Sequence, residues 1–325
     1  MTTAGTQPPA GTAGQPLGAA GTGGAGPVLP ARTSTAVWAA LAVVYVVWGS
    51  TYLGIRIVVE SMPALLSGAV RFLLAGALLL GVLAWRQGSA ALRVTRRQLG
   101  SAALVGVLLL VGGNGLVVLA EGEIPSGLAA LLIAVVPLWV VLLRAAFGDR
   151  PGAAALLGVA LGTAGLVVLA VPGITGRVAL GGVLMLVGAS ISWAIGSFAS
   201  SRLPMPANPL VASGYEMLAG GLGCLLVALL HGELHGLHPG AVTTRSWVAL
   251  AYLVLVGSLV AFTAYAWLLQ SAPISLVATY AYVNPVVAVF LGWLVLDERP
   301  NRWEAIGGAI VVAAVGVVVS TERRR

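Results

Sequence analysis

Apolar stretches of about 20 residues recur along almost the whole chain, and they constrain its fold more than any other feature of the sequence. A helix rises about 1.5 Å per residue, so a stretch of this length crosses a hydrocarbon layer of about 30 Å. Charged residues make up only 8% of the chain, whereas a soluble domain contains about 25%. The sequence therefore predicts an all-α polytopic membrane protein.

Short segments rich in turn-forming residues separate these apolar stretches and predict ten transmembrane helices. The predicted spans are 36–53, 65–85, 99–120, 126–147, 153–171, 180–200, 209–230, 247–269, 274–296 and 303–320. Residues 1–34 contain almost no large apolar side chain, so we expect a disordered tail there. Residues 321–325 form a short basic end.

The basic residues indicate the orientation in the membrane. All 17 are arginines, and the absence of lysine argues against a Schiff base or a Walker A phosphate loop. With ten spans both termini lie on one side. If that side is the cytoplasm, it holds eleven arginines, and the opposite side holds five. This bias predicts a multi-pass protein of the plasma (inner) membrane with both termini cytoplasmic, and it explains the net charge of +7 without nucleic acid.

The two halves of the chain carry the same pattern of prolines and acidic residues. Three pairs share a separation of 148 positions: Pro125 and Pro273, Pro137 and Pro285, and Asp149 and Asp297. Since each half has five spans, the halves must insert in opposite orientations, which is the inverted-repeat construction of many secondary transporters. We predict one five-helix repeat over residues 36–171 and a second over residues 180–320.

Aromatic and polar side chains occur within the spans where a solute could meet them. Tyr45, Trp48 and Tyr52 follow one another at steps of three and four, so they share one helix face. Trp48 lies near mid-membrane, away from the interfaces where Trp and Tyr usually lie. Aromatic walls with a few hydroxyl and amide groups are typical of a small-molecule cavity, and packing between helices is the alternative. The predicted substrate-binding residues are Tyr45, Trp48, Tyr52, Asn114, Pro137, Trp193, Ser197, Tyr280 and Asn284.

The central prolines, Pro137 and Pro285, each remove a main-chain donor near the midplane. A packed kink and a discontinuous helix lining a solute cavity are both consistent with this placement.

Two ionisable side chains, Arg71 and Glu216, lie inside predicted spans, where an unpaired charge costs about 2.5 to 3.5 kcal/mol or more. Their matched depth predicts a charge pair, and contact with substrate or a proton is the alternative. Glu121 and Glu123 follow the third span, where a solvated interfacial carboxylate is the expected state.

No catalytic or metal site is predicted. His231, His235 and His238 lie close together, but two intervening glycines and a loop context argue against a metal ion. The spans contain no nucleophile–base pair typical of an enzyme, and no cofactor is expected.

Several motifs resemble the EamA branch of the drug/metabolite transporter superfamily over about residues 37–320. They are WGSTYLGIR at 48–56, MP at 62–63, RF at 71–72, GNG at 113–115, AE at 120–121, PSG at 125–127, YAYVNP at 280–285 and DE at 297–298. Taken together, these motifs look most like those of the uncharacterised inner-membrane EamA exporters of bacteria. The resemblance implies ten helices in two inverted repeats, cytoplasmic termini, a central cavity, and export of amino acids, metabolites or drugs. Where members often carry an acidic pair after the fourth helix, this chain has Gly148-Asp149-Arg150.

The sequence therefore predicts a secondary active transporter that exports a small organic solute by alternating access, around a midplane site lined by helices one, four, six and nine. A membrane receptor or scaffold that binds a small ligand without transporting it is the alternative, and a membrane enzyme is a weaker one. The expected partners are the solute and the lipid bilayer. Protons are the candidate coupling ion, and a homodimer is a candidate assembly.

Overall fold

The structure is a computed structural model that describes residues 1–2, 35–148, 152–174, 178–235, 239–272, 277 and 280–322. These residues form helices and turns, with no strand among them, and Ser34–Arg325 forms one compact unit. The predicted disordered tail falls outside the described residues except for Met1 and Thr2. Asp149, Pro273 and the last three arginines also fall outside them.

The helices of this unit follow the apolar stretches of the sequence. In chain order they are α1 (Thr35–Val59), α2 (Ala64–Gln87), α3 (Arg96–Ala120), α4 (Ser126–Ala146), α5 (Ala153–Ile174), α6 (Leu180–Ser200), α7 (Pro209–Leu230), α8 (Thr244–Tyr252, Leu253–Val260 and Ala261–Ser271), α9 (Tyr280–Leu296) and α10 (Arg302–Glu322). Helices α6 and α7 have the predicted bounds. Helix α1 continues six residues beyond its predicted end at Leu53, so Arg56 lies on its last turns.

Seven helices in the described part of the chain are long and apolar enough to cross a membrane, namely α1 to α4 and α6 to α8. Helices α5 and α9 contain shorter apolar segments, Leu156–Leu169 and Val283–Leu296. Large apolar side chains point outward from several helices, and Val46, Leu222 and Phe290 are each more than half exposed. Such an outer surface suits lipid better than water. The prediction of an all-helical membrane protein is confirmed, and spanning by α5, α9 and α10 stays a prediction.

Helices α3 and α8 begin in the same way and share an irregularity. The Thr95 hydroxyl accepts a hydrogen bond from the Gln98 main-chain N–H, and the Thr243 hydroxyl accepts one from the Ser246 N–H. The two caps are 148 positions apart, the separation found for the prolines. Both helices then become π-helical, over Val107–Gly115 in α3 and Leu253–Val260 in α8. Segments of this kind often mark functional sites.

The two central prolines have different consequences. Helix α4 is interrupted between Ile133 and Val136, and Pro137 lies in the first turn of the second helical piece, Val136–Ala146. Pro285 lies inside the continuous helix Tyr280–Leu296. Of the two interpretations of these prolines, a discontinuous helix fits α4, and a proline within an unbroken helix fits α9.

Corresponding helices of the two halves pack against each other. Helix α2 packs along α7, and α5 packs along α10. Glycines allow the closest approaches: a Cβ at Gly76 of α2 would lie 3.0 Å from the Gly214 carbonyl oxygen of α7. A Cβ at Gly49 of α1 would lie 2.6 Å from the Val287 Cβ of α9. These close contacts join α2 to α7 and α1 to α9.

Candidate functional site

A small cavity lies between helices of both halves and receives side chains from α1, α2, α3, α4, α6, α8 and α9. Its volume is about 60 Å³, whereas sites that hold organic ligands usually measure about 300 to 1,000 Å³. The cavity therefore has room for a few water molecules in this conformation. Its lining residues are Trp48, Thr51, Tyr52, Ile55, Arg71, Gly113, Asn114, Val117, Ile133, Ala189, Trp193, Phe262, Tyr280 and Asn284.

Trp48 is the centre of the aromatic wall. Its ring centroid lies 6.0 Å from that of Trp193 and 5.3 Å from that of Tyr280, with both ring pairs edge to face. Phe262 and Tyr265 of α8 lie at 5.6 Å and 4.7 Å from the same ring. Rings from α1, α6, α8 and α9 thus meet at one point, at separations where aromatic pairs attract one another.

Among the described residues that line the cavity, Arg71 is the only one with a charged side chain, and it is 3% exposed. Its Nε donates to Ser258 Oγ at 2.9 Å, and its Nη1 donates to Asn114 Oδ1 at 3.4 Å. Ser258 lies in the π-helical segment of α8, and Asn114 lies in that of α3. The hydrogen bonds of the guanidinium therefore connect the two π-helical segments, one from each half of the chain. Both partners are neutral, and Arg71 has no carboxylate within salt-bridge distance among the described residues.

Two further polar groups of the cavity wall differ in how well they are bonded. With its amide oriented to satisfy its neighbours, the Asn284 nitrogen donates to the carbonyls of Tyr45 at 3.1 Å and Tyr280 at 3.2 Å. Among the described residues the buried Trp193 indole N–H makes no hydrogen bond of good geometry, although the Tyr280 hydroxyl is close enough to interact with it. The guanidinium and the indole N–H are donors that a solute oxygen can satisfy.

The structure brings together seven of the eleven residues singled out in the sequence: Trp48, Tyr52, Arg71, Asn114, Trp193, Tyr280 and Asn284. It does not place Tyr45, Pro137, Ser197 or Glu216 in the cavity wall. The Ser197 hydroxyl donates to its own helix, at the Trp193 carbonyl, 2.8 Å away. Tyr45 contributes its main-chain carbonyl to Asn284, and Pro137 is buried within α4.

The predicted ion pair between Arg71 and Glu216 is not formed. Glu216 is 8% exposed on α7, whose backbone there packs against Gly106 of α3. Equal depth in the membrane does not fix the direction in which a helix presents a side chain, and Arg71 turns towards Ser258 and Asn114 instead.

The prediction that Glu121 is a solvated interfacial carboxylate is also wrong. Glu121 is fully buried at the end of α3, and neither carboxylate oxygen has a hydrogen-bond partner among the described residues. Arg56 Nη1 donates to the main-chain carbonyl of Glu121, not to its carboxylate. Burial raises the pKa of the Glu121 carboxyl well above its usual range, and the charge of Glu298 raises it further, while Arg56 lowers it.

Glu298 closes the same end of the helix bundle. Its carboxylate accepts the Ser126 main-chain N–H at 3.1 Å and the Ser126 hydroxyl at 2.7 Å. The turn after α9 is thereby joined to the start of α4. Asp297, its neighbour in the acidic pair, is exposed and lies 3.7 Å from Arg299, so only Glu298 of the pair has a role inside the bundle.

The sequence did not single out Ser258, Phe262 or Tyr265, although all three surround Trp48 or Arg71. The internal repeat could have indicated these residues, since α8 is the counterpart of α3, where Asn114 was predicted.

A second cavity, of about 640 Å³, lies between α4, α9 and α10. The described residues of its wall are almost entirely apolar, and Glu304 is the one ionisable side chain among them, so they offer few polar groups that could orient a solute.

Comparison with known proteins identifies the family of the chain. The EamA-like transporter family matches residues 34–171 and 180–320. A protein of Escherichia coli K12 named "Uncharacterized inner membrane transporter YedA" is 40% identical over 283 residues, which cover 87% of this chain and 90% of that protein. A "Probable terminal-alkyne amino-acid exporter" of Streptantibioticus cattleyicolor is 28% identical over 289 residues, 88% of this chain and 94% of that protein.

A solved crystal structure superposes with a TM-score of 0.62 at 23% identity, covering 89% of this chain and 99% of its own, and it supports the fold alone. The family match and the 40% identity to an inner membrane transporter confirm the resemblance drawn from the motifs. The chain therefore belongs to the EamA-like transporter family.

Proposed function

We propose that the chain is a secondary transporter that exports a small organic solute by alternating access, with ten spanning helices in two inverted five-helix repeats and both termini in the cytoplasm. The pairing of α2 with α7 and of α5 with α10, and the equivalent caps at Thr95 and Thr243, support the inverted repeat. In this orientation, Arg56 and Glu298 lie at the outer end of the bundle and the loop after α2 lies inside the cell.

The observation that carries the proposal is the small cavity built from both halves, with an aromatic wall and one guanidinium. At about 60 Å³ it is closed to an organic solute, so binding requires the helices to move apart. Movement of one half against the other opens such a cavity to one side at a time, which is alternating access.

The cavity favours a solute that combines an anionic group with an apolar or aromatic body. Arg71 carries a charge that no carboxylate neutralises within the described residues, and a solute carboxylate would accept from it in a charge-assisted hydrogen bond. The rings around Trp48 would pack against the remainder of the solute. The amino-acid exporter among the relatives is consistent with a solute of this chemistry.

The test compares metabolites inside and outside cells that express the wild type, Trp48→Ala or Trp38→Ala. Trp38 lies on the same helix but is 52% exposed on its outer face, so it is a matched control for the buried Trp48. We expect at least one organic anion to move out of cells with the wild type and with Trp38→Ala, and less with Trp48→Ala at equal membrane insertion.

If the distribution of metabolites is the same with and without the protein, transport is refuted. If metabolites still do not move but an organic anion binds to the purified protein, the receptor alternative is favoured.

A further inference from the structure

Glu121 is a buried carboxyl group that no described residue hydrogen-bonds. It is 0% exposed and both of its carboxylate oxygens lack a hydrogen bond, although a cationic side chain, Arg56, contacts the same residue through its main chain. An ionised carboxylate without a partner would lose several kcal/mol of hydration free energy in such a place, and the protonated form avoids most of this loss. The geometry therefore fits a neutral carboxylic acid.

This group lies next to the cavity. The Glu121 main-chain N–H donates to the Val117 carbonyl at 2.9 Å, so Glu121 follows Val117 by one helical turn of about 5.4 Å. Val117 lines the cavity, as does Tyr52, whose hydroxyl group interacts electrostatically with Glu121. Glu121 thus separates the cavity from the end of the bundle that Glu298 closes.

The titratable and charged groups that face Glu121 come from two other parts of the fold. Tyr52 and Arg56 face it from α1, and Glu298 faces it from the turn after α9. Glu123 follows two residues later but is exposed, and its carboxylate points towards Gly182 at the start of α6. The Arg56 cation at the Glu121 carbonyl disfavours a metal ion there, so a proton is the fitting ligand.

We propose that Glu121 is the proton-binding site of the transporter and that its protonation state controls opening of the cavity at the end closed by Glu298, an inference that rests on the proposed function. In the closed conformation the carboxyl keeps its proton. When the bundle opens at this end, water reaches Glu121, the O–H bond breaks, the proton passes to water, and the guanidinium of Arg56 becomes a partner for the carboxylate. Closing requires a proton to return from the same side.

Infrared difference spectra of the full chain in lipid nanodiscs, recorded between low and high pH, test the site without a known solute. A protonated carboxyl has a C=O stretching band that disappears when the proton leaves. We expect Glu121→Gln to lack one component of this band and the matched control, Glu123→Gln, to retain it. A Glu121→Gln spectrum equal to that of the wild type overturns the proposal.

A second variant keeps the proposal testable if Glu121→Gln does not fold. Because the negative charge of Glu298 disfavours ionisation of Glu121, Glu298→Gln should shift the midpoint of this band to lower pH. An unchanged midpoint would show that the titrating carboxyl does not face Glu298, and it would overturn the assignment of the proton site to Glu121.

Opening is measured by reaction of a water-soluble maleimide with Ala189→Cys, a cavity position, in a Cys224→Ala background. The reaction should be faster at high pH, and Glu121→Gln should lose this pH dependence while Glu123→Gln retains it. If Glu121→Gln retains it, the proton site is refuted but transport is not. If metabolite export is absent while the pH dependence is intact, transport is refuted and the proton site remains.

Discussion

The hydrogen bonds of Arg71 predict a specific order of coupling energies in double-mutant cycles. The Nε to Ser258 Oγ distance of 2.9 Å lies at the centre of the range for an N–H···O bond, whereas the 3.4 Å from Nη1 to Asn114 Oδ1 lies beyond it. A hydrogen bond to a buried charged group contributes roughly 1.5 to 3 kcal/mol. We therefore expect a coupling energy of about 1.5 to 3 kcal/mol between Arg71→Met and Ser258→Ala, and less than about 1 kcal/mol between Arg71→Met and Asn114→Ala.

Glu216 provides the comparison within the same experiment. The Glu216 side chain is 8% exposed, so it is buried deeply enough for a buried ion pair. It does not contact the Arg71 guanidinium, which bonds Ser258 and Asn114. Residues without shared partners are additive within about 0.3 to 0.5 kcal/mol, whereas breaking a buried ion pair costs about 3 to 5 kcal/mol. Arg71→Met and Glu216→Gln should therefore have additive effects on the free energy of unfolding.

The assay is denaturant unfolding of the full chain in nanodiscs, followed for the wild type, the single variants and the double variants. The Glu216 cycle should be run at two salt concentrations, because a direct pair buried at this depth would be little screened by salt. A coupling energy above about 1 kcal/mol between Arg71 and Glu216, or additivity between Arg71 and Ser258, would refute the reasoning.

Three further predictions concern orientation, the aromatic wall and helix packing. In a Cys224→Ala background, a membrane-impermeant thiol reagent should label His235→Cys but not Ser89→Cys in intact cells, because the arginine bias predicts that the loop after α2 lies inside. The reverse pattern would invert the proposed topology. Trp193→Ala should lower export of the identified anion per inserted molecule, as Trp48→Ala should, and normal export by both variants would place the solute elsewhere. Gly76→Ala should lower the free energy of unfolding by about 1 to 3 kcal/mol, because the added Cβ would meet the Gly214 carbonyl. Gly81→Ala on the same helix would meet nothing within 4 Å and should raise the free energy of unfolding by about 0.5 to 1 kcal/mol. Equal effects of the two substitutions would show that the contact between Gly76 and Gly214 is not tight.

The sequence predicted the helices well because the membrane imposes one simple requirement, a long apolar stretch for each crossing. It also predicted most of the aromatic wall, since Trp48 and Trp193 lie at a depth where aromatic side chains have no interfacial role. It failed for Arg71 because the partner, Ser258, lies 187 positions away and is an ordinary hydroxyl within an apolar stretch. The burial of Glu121 was also missed, because the sequence does not show whether other parts of the chain cover the end of a helix. A carboxylate at such an end can be either exposed to water or buried.

The two π-helical segments explain how neutral groups reach Arg71 from both halves of the chain. In a regular α-helix each residue turns by about 100°, and a π-helical segment changes this phase, so side chains beyond it point in directions that the α-helical period does not predict. Asn114 lies in one such segment and Ser258 in the other, and both bond the same guanidinium. Since α3 and α8 belong to opposite halves, the hydrogen bonds of Arg71 to Asn114 and Ser258 link the two halves. A solute anion that accepts hydrogen bonds from Arg71 would compete with this link. In the proposed transport cycle one half moves against the other, and binding of an anionic solute would loosen the link that this movement must change. Arg71 would then both recognise the solute and respond to it.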